Sequence, residues 1–208
     1  MTDIQNQVLL SSAYLPPIEY FSSIINSKKQ LIEKHETYKK QTYRNRCRIL
    51  GPNGILTLTI PINKPNGNHT KINEITISYF ENWQQIHWRS IESSYNSSPF
   101  FLYYKEELKE IYQKKHKYLF DLNNDFLKLI SEFIGIEFTI NLTSKFVNNP
   151  TNILDLRNII SPKKLSQKID FIKYSQVFAN KFGFTPNLSI IDLLFNIGPE
   201  AIDYLTNK

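Results

Sequence analysis

From Gln7 to Ser27 the chain reads QVLLSSAYLPPIEYFSSIINS. The first nine residues, QVLLSSAYL, have the length and apolar content of a short strand. Pro16 and Pro17 then suit the start of a helix, PIEYFSSIINS, because a first helical turn has no intrahelical partner for the N–H that proline lacks. Strand, turn and helix in that order set the expectation of a mixed α/β fold.

Beyond this stretch, QLIEKHETY is short and partly alternating, and RCRILGPNGILTLTIPI reads as two strands joined by a turn at Gly51-Pro52-Asn53-Gly54. Pro65-Asn66-Gly67-Asn68 makes a loop before a further strand, INEITISY, so the N-terminal part is strand-rich. From Trp83 to about Ile134 the apolar spacing turns helical: WQQIHWRSIESSYNS, then PFFLYYKEELKEIYQK opened by Pro99, then LFDLNNDFLKLISEFIG closed by Gly135. A strand, IEFTINLTS, follows, and then DLRNIISPKKL, the aromatic-rich IDFIKYSQVFANKFG and the loop FTPN. The last helix, LSIIDLLFNIG, stops at Gly198-Pro199. No repeat or low-complexity linker divides the chain. Residues 1–208 are therefore expected to form one α/β domain, with a strand-rich N-terminal half, a helical middle and a buried C-terminal helix.

At 208 residues, 41% hydrophobic and 21% charged, the chain has the profile of a folded protein able to bury a substantial core. The net charge of +6 is interleaved with acidic residues, which suits a phosphorylated ligand but does not mark out a nucleic-acid-binding face. A single cysteine, Cys47, excludes an intramolecular disulfide and a cysteine-based zinc site. The N-terminus lacks a basic start with a signal-length apolar core, and no run of about 18 apolar residues occurs, so a cytoplasmic protein without a membrane span is expected. Glycine-rich phosphate loops, G-x-S-x-G, H-E-x-x-H and D-x-D are all missing, and no motif names a metal or cofactor.

What remains are polar groups in apolar settings. At about 100° per helical residue, His87 shares a face with Trp83 and Ile91, flanked by Ser90 and Ser94, which are small enough to let another element or a ligand approach closely. A histidine there is either a hydrogen-bonded core residue or, with an intrinsic pKa near working pH, a general acid/base. Arg89 and Glu92 fall on the opposite side at a spacing that allows a surface ion pair. In the last helix, Ser189, Asp192 and Asn196 form one polar stripe on an otherwise apolar surface. A carboxylate buried there requires a partner such as an arginine, a histidine or a helix N-terminus. If Arg44 to Arg48 is extended, Arg44, Arg46 and Arg48 share one side of a strand, as an anion-binding row or a charged sheet edge.

The segments YLPPIEYF, YRNRCRI with LTLTIPI, WQQIHWRSIESSYNSSPFF and NLSIIDLLFNIGP together resemble the WbqC-like protein family, in the family's order and over nearly the whole chain. The resemblance covers Tyr14, Leu15, Pro16, Tyr20 and Phe21, then Asn45 and Arg46, then His87, Ile91, Glu92, Tyr95, Pro99 and Phe100, and finally Leu188, Ser189, Asp192, Leu193 and Gly198. It implies a role in O-antigen or other surface-polysaccharide biosynthesis, with transfer of a glycyl, other aminoacyl or acyl group to a sugar. Many relatives have Gln-Pro at Ser11-Ser12, acidic residues near Lys34-His35, and a Ser-Gly segment before the last helix that this chain lacks.

The expected mechanism makes His87 the acceptor of the sugar's proton and Asp192 the residue that orients His87 or an arginine. Arg44 or Arg46 would bind the phosphate of a nucleotide-linked sugar, with Tyr14, Asn45, Glu92, Tyr95 and Ser189 contacting substrate. An aminoacyl-tRNA donor is the one nucleic-acid partner this scheme admits. The alternatives are a non-catalytic scaffold of a polysaccharide-assembly complex and a nucleotidyltransferase-like enzyme. The latter is disfavoured by the absence of paired histidines after the first strand.

Overall fold

A computed structural model describes residues 5–136, 139–163 and 171–206. Parts of three expected elements lie outside these residues: 137–138 of IEFTINLTS, the end of DLRNIISPKKL and the start of IDFIKYSQVFANKFG. In chain order the elements are β1 (Gln5–Ser11), α1 (Ile18–Ile25), β2 (Ser27–Glu33), β3 (Arg46–Gly51), β4 (Gly54–Thr59), β5 (Ile62–Asn63), β6 (Thr76–Ile77), α2 (Trp83–Tyr95), α3 (Phe101–Gln113), α4 (Leu119–Ile134), β7 (Asn141–Leu142), β8 (Leu154–Asp155), α5 (Ala179–Phe182), α6 (Ile190–Ile197) and α7 (Ala201–Thr206).

The fold is α/β. Four strands form a parallel sheet in the order β7-β2-β1-β8, with β1 and β2 in register from Gln5 opposite Ser27 to Ser11 opposite Glu33. Val8, Leu9 and Leu10 are all fully buried, the near-continuous apolar run of a central parallel strand. β3 and β4 make the expected hairpin: Gly51 pairs with Gly54, and Gly54 adopts the positive φ of 105° that the tight turn demands. One apolar cluster runs from Val8 to Leu205 and includes α6, whose Ile190, Ile191, Leu193, Leu194 and Phe195 are all buried.

Local pattern and structure part company where partners come from far along the chain. INEITISY is mostly not strand: a 3₁₀ turn spans Ile72–Glu74, and the amides of Ile72, Ile77 and Leu119 bond carbonyls of Glu36, Lys117 and Ile75, so loops satisfy this backbone. IEFTINLTS supplies only the two residues of β7 to the sheet. Helix α3 starts at Phe101 rather than Pro99, because the Phe100 amide donates to Phe195 O and is drawn toward α6. Gly198 does end α6, at φ 56°, yet the chain continues through a 3₁₀ turn into α7. A side chain at Gly198 would meet the Phe100 ring, with Cβ 2.5 Å from it.

Candidate functional site

All four sheet strands run the same way, so their carboxyl ends share one edge. The chain passes from β1 to β2 and on to β7 on one side, then returns to β8 on the other, which makes the β1/β8 boundary the topological switch where open α/β sheets form a crevice. Here that edge is built of charge pairs. Arg44 makes a two-pronged contact with Glu36, with Nε to Oε1 at 2.9 Å, and donates to Ser11 Oγ at 2.6 Å. Arg157 forks onto Asp155 at 2.9 and 2.7 Å and reaches Glu33 at 3.2 Å. Glu33 is fully buried and also accepts from Thr143 Oγ1 and the amides of His35 and Val147. Ion pairs this deep are stable because both carboxylate oxygens and the guanidinium forks are matched. The Arg157 hydrogen bonds hold the Asp155 carboxyl below its usual range. The crevice between Ser11–Ala13 and Leu156–Arg157 is narrow, about 10 Å³, and Tyr20, Tyr43 and Arg44 wall it.

The arginine row therefore divides. Strand β3 begins only at Arg46, so Arg44 lies outside it and turns inward to Glu36, buried. Arg46 and Arg48 alternate with buried Cys47 and Ile49 and line an open cleft of about 460 Å³, with Gln41, Ile55, Thr57, Pro162 and Lys163 as its other walls. The cleft and the crevice are both built from the 41–48 and 156–163 segments. Tyr43 stands between them: it lines the crevice and its ring lies near the Arg48 charge, while burial raises its pKa to about 12.

His87 lines neither depression. It is 3% exposed, with Nδ1 at 2.9 Å from the Tyr14 hydroxyl. The Tyr14 hydroxyl also hydrogen-bonds the Tyr112 hydroxyl. Trp83 stands edge-on to the imidazole at 5.2 Å, and burial lowers the His87 pKa to about 4. The close approach expected at the small residues of α2 occurs: a Cβ on Gly51 of β3 would lie 3.4 Å from Ser94 Oγ.

Asp192 is 1% exposed, and its partners are neither arginine nor histidine. Tyr95 donates to Oδ1 at 2.9 Å, and Tyr174 and Gln176 donate to Oδ2 at 2.5 and 2.8 Å. Burial raises its pKa in spite of these three bonds. Asp192, expected to orient His87 or an arginine, hydrogen-bonds neither among the described residues; His87 and Asp192 each sit in their own network.

Tyr14, Asn45 and Ser189 fasten backbone. The Tyr14 amide bonds Tyr43 O at 2.8 Å; Asn45 Nδ2 and Ile60 O bridge β3 to the chain after β4 at 2.8 Å; and Ser189 Oγ reaches Leu15 O at 2.8 Å. Leu15 is buried at φ 39°, an unusual value for a non-glycine residue, in the loop that α6 clamps. Glu92 and Arg89 are both exposed on α2, with no ion pair between them.

Three residues of the sheet edge escaped notice in the sequence: Glu36, Arg157 and Asn123, whose Nδ2 holds Ser12 Oγ at 3.0 Å and Arg44 O at 2.9 Å. The usable signals were an asparagine on the apolar face of α4 and Asp155-x-Arg157 after a short apolar run. Among the described residues no group of three or more His, Cys, Asp or Glu side chains is placed to hold a metal ion. No helix among them is long and apolar enough to cross a membrane.

Over 222 residues the chain is 29% identical to a protein of Mycobacterium tuberculosis called Uncharacterized protein Rv1507c, a span that covers 95% of this chain and 96% of that one. No solved structure matches the chain significantly. The profile of the WbqC-like protein family matches residues 11–166 and 160–204, from the end of β1 through the charged edge and the basic cleft to α7. On that match, the chain belongs to the WbqC-like protein family.

Proposed function

We propose that the protein is a transferase of surface-polysaccharide assembly that moves an acyl or aminoacyl group onto a sugar, with its substrate docked along the carboxyl edge of the parallel sheet. The observation that carries this reading is the basic cleft lined by Arg46 and Arg48 beside the topological switch, with Tyr43 between the two. In the transfer, the sugar's hydroxyl or amine forms a bond to the acyl carbon, the bond from that carbon to the donor's leaving group breaks, and the nucleophile's proton is released.

In this reading Arg46 and Arg48 contact the substrate. Arg44 holds the crevice through Glu36 and Ser11, and Tyr14, Asn45, His87, Tyr95, Asp192 and Ser189 are positioning residues that fix the β1–α1 loop, β3 and α6. Glu92 has no part in it.

The burial of both acid–base candidates favours one other reading, a non-catalytic module of a polysaccharide-assembly complex. The two readings separate when purified protein is incubated with sugar acceptors and activated acyl or aminoacyl donors and the products are weighed by mass spectrometry. The transferase reading expects a product heavier by the acyl group, lost in the Arg46→Gln/Arg48→Gln double variant. Absence of product over the donor panel, from protein that still rescues surface glycan in a deletion strain, establishes the scaffold instead.

A further inference from the structure

We infer that the cleft lined by Arg46, Arg48 and Lys163 is a phosphate site, and that it takes the diphosphate of a ligand that also carries a ring. This inference rests on the placement of the substrate at the sheet edge and adds what kind of substrate it is.

The contrast among the arginines carries it. At the edge, Arg44 and Arg157 are each neutralised by a carboxylate held in a two-pronged grip. Arg46, Arg48 and Lys163 line one cleft with no ion pair among the described residues, and none of its described lining residues is acidic. Arg46 Nε is shielded from solvent and has no hydrogen-bond partner among the described residues, so no carboxylate of the chain holds that edge of the guanidinium.

The local chain builds the convergence. Alternation along β3 puts Arg46 and Arg48 on the same face, and cross-strand pairing sets Thr57 opposite Arg48 on that face, where its hydroxyl adds a donor. Lys163 approaches from the segment after β8. Two planar forks and an ammonium supply more donors than a carboxylate has oxygens, and they match the several oxygens of a phosphoryl chain. A volume of about 460 Å³ exceeds the needs of a lone inorganic ion and falls in the range of small-molecule sites. Ile55, 47% exposed, and Pro162 give that volume an apolar wall for a base or sugar ring.

Thermal shift and calorimetric titration at low salt test this, with the free sugar, orthophosphate, pyrophosphate, a uridine-diphosphate sugar and a short RNA as separate arms. The expected order of affinity is diphosphate sugar, then pyrophosphate, then orthophosphate, with none for the free sugar. Arg46→Gln and Arg48→Gln each weaken the diphosphate ligands at least tenfold, and Lys163→Gln weakens them less. Circular dichroism shows that the variants stay folded, and Arg46→Lys recovers part of the affinity. Undiminished pyrophosphate binding in the Arg46→Gln/Arg48→Gln variant overturns the site, and RNA binding tighter than any diphosphate overturns the ligand class. Acyl transfer without phosphate binding sinks this inference and leaves the transferase standing; phosphate binding without transfer does the reverse.

Discussion

His87 shows how burial decides what a residue can do. Desolvation lowers its folded pKa to about 4 against about 6.5 in an open chain, so between those values the unfolded state binds a proton that the folded state refuses. Its contribution is therefore intact above pH 6.5 and is lost as the pH falls toward 4, by about 3 kcal/mol in all. His87→Gln keeps a hydrogen-bonding partner for Tyr14 but cannot titrate. Urea unfolding at pH 7 and pH 4 should show the variant losing about 3 kcal/mol less on acidification than the parent. Equal losses would mean that the imidazole is protonated where it lies. Helical spacing had already put His87 on one face with Trp83 and Ile91, and all three are buried. It could not name the partner, because Tyr14 lies 73 positions away and meets the ring only once β1 and α2 are packed.

Among the elements, α6 holds the most together. Its Asp192 collects Tyr95 from α2 and Tyr174 and Gln176 from the stretch before α5, which ties two other parts of the chain to one carboxylate. Asp192→Ala leaves those three donors without their acceptor and should cost about 3 kcal/mol in a denaturant titration, whereas Glu92→Ala on the exposed face of α2 should stay within about 0.5 kcal/mol. Similar costs for the two would sink the assignment. The hairpin β3–β4 was legible because its turn signal, Gly51 to Gly54, is local. The buried C-terminal helix was legible because it is apolar nearly all round. The two-residue strand β8 was not, and β7 was legible only as the longer strand IEFTINLTS, since their pairing is dictated by β1 and β2, more than a hundred positions earlier. The supposed arginine row failed for a similar reason: alternation holds within β3 but says nothing of Arg44, whose direction is set by Glu36 and Ser11.

For the molecule as a whole, the charged carboxyl edge replaces what a small parallel sheet lacks in strand length. Arg157→Met removes the partner of buried Glu33 and of Asp155 together and should destabilise the protein by about 3–5 kcal/mol, while Arg89→Met, exposed on α2, should be near neutral. Comparison of their urea midpoints checks this, and matched midpoints would show the edge to be dispensable. The same architecture orders events in time. Strands β1 and β2 are neighbours in sequence, but the backbone from Leu15 to Ile18 takes its long-range bonds from Leu188, Ser189 and Ile190. As the ribosome delivers the chain from its first residue onward, the loop beside the crevice stays unlatched until α6 has emerged. A nascent chain stalled before that point presents β1, α1 and β2 to the cell's chaperones and proteases with their closing clamp not yet made.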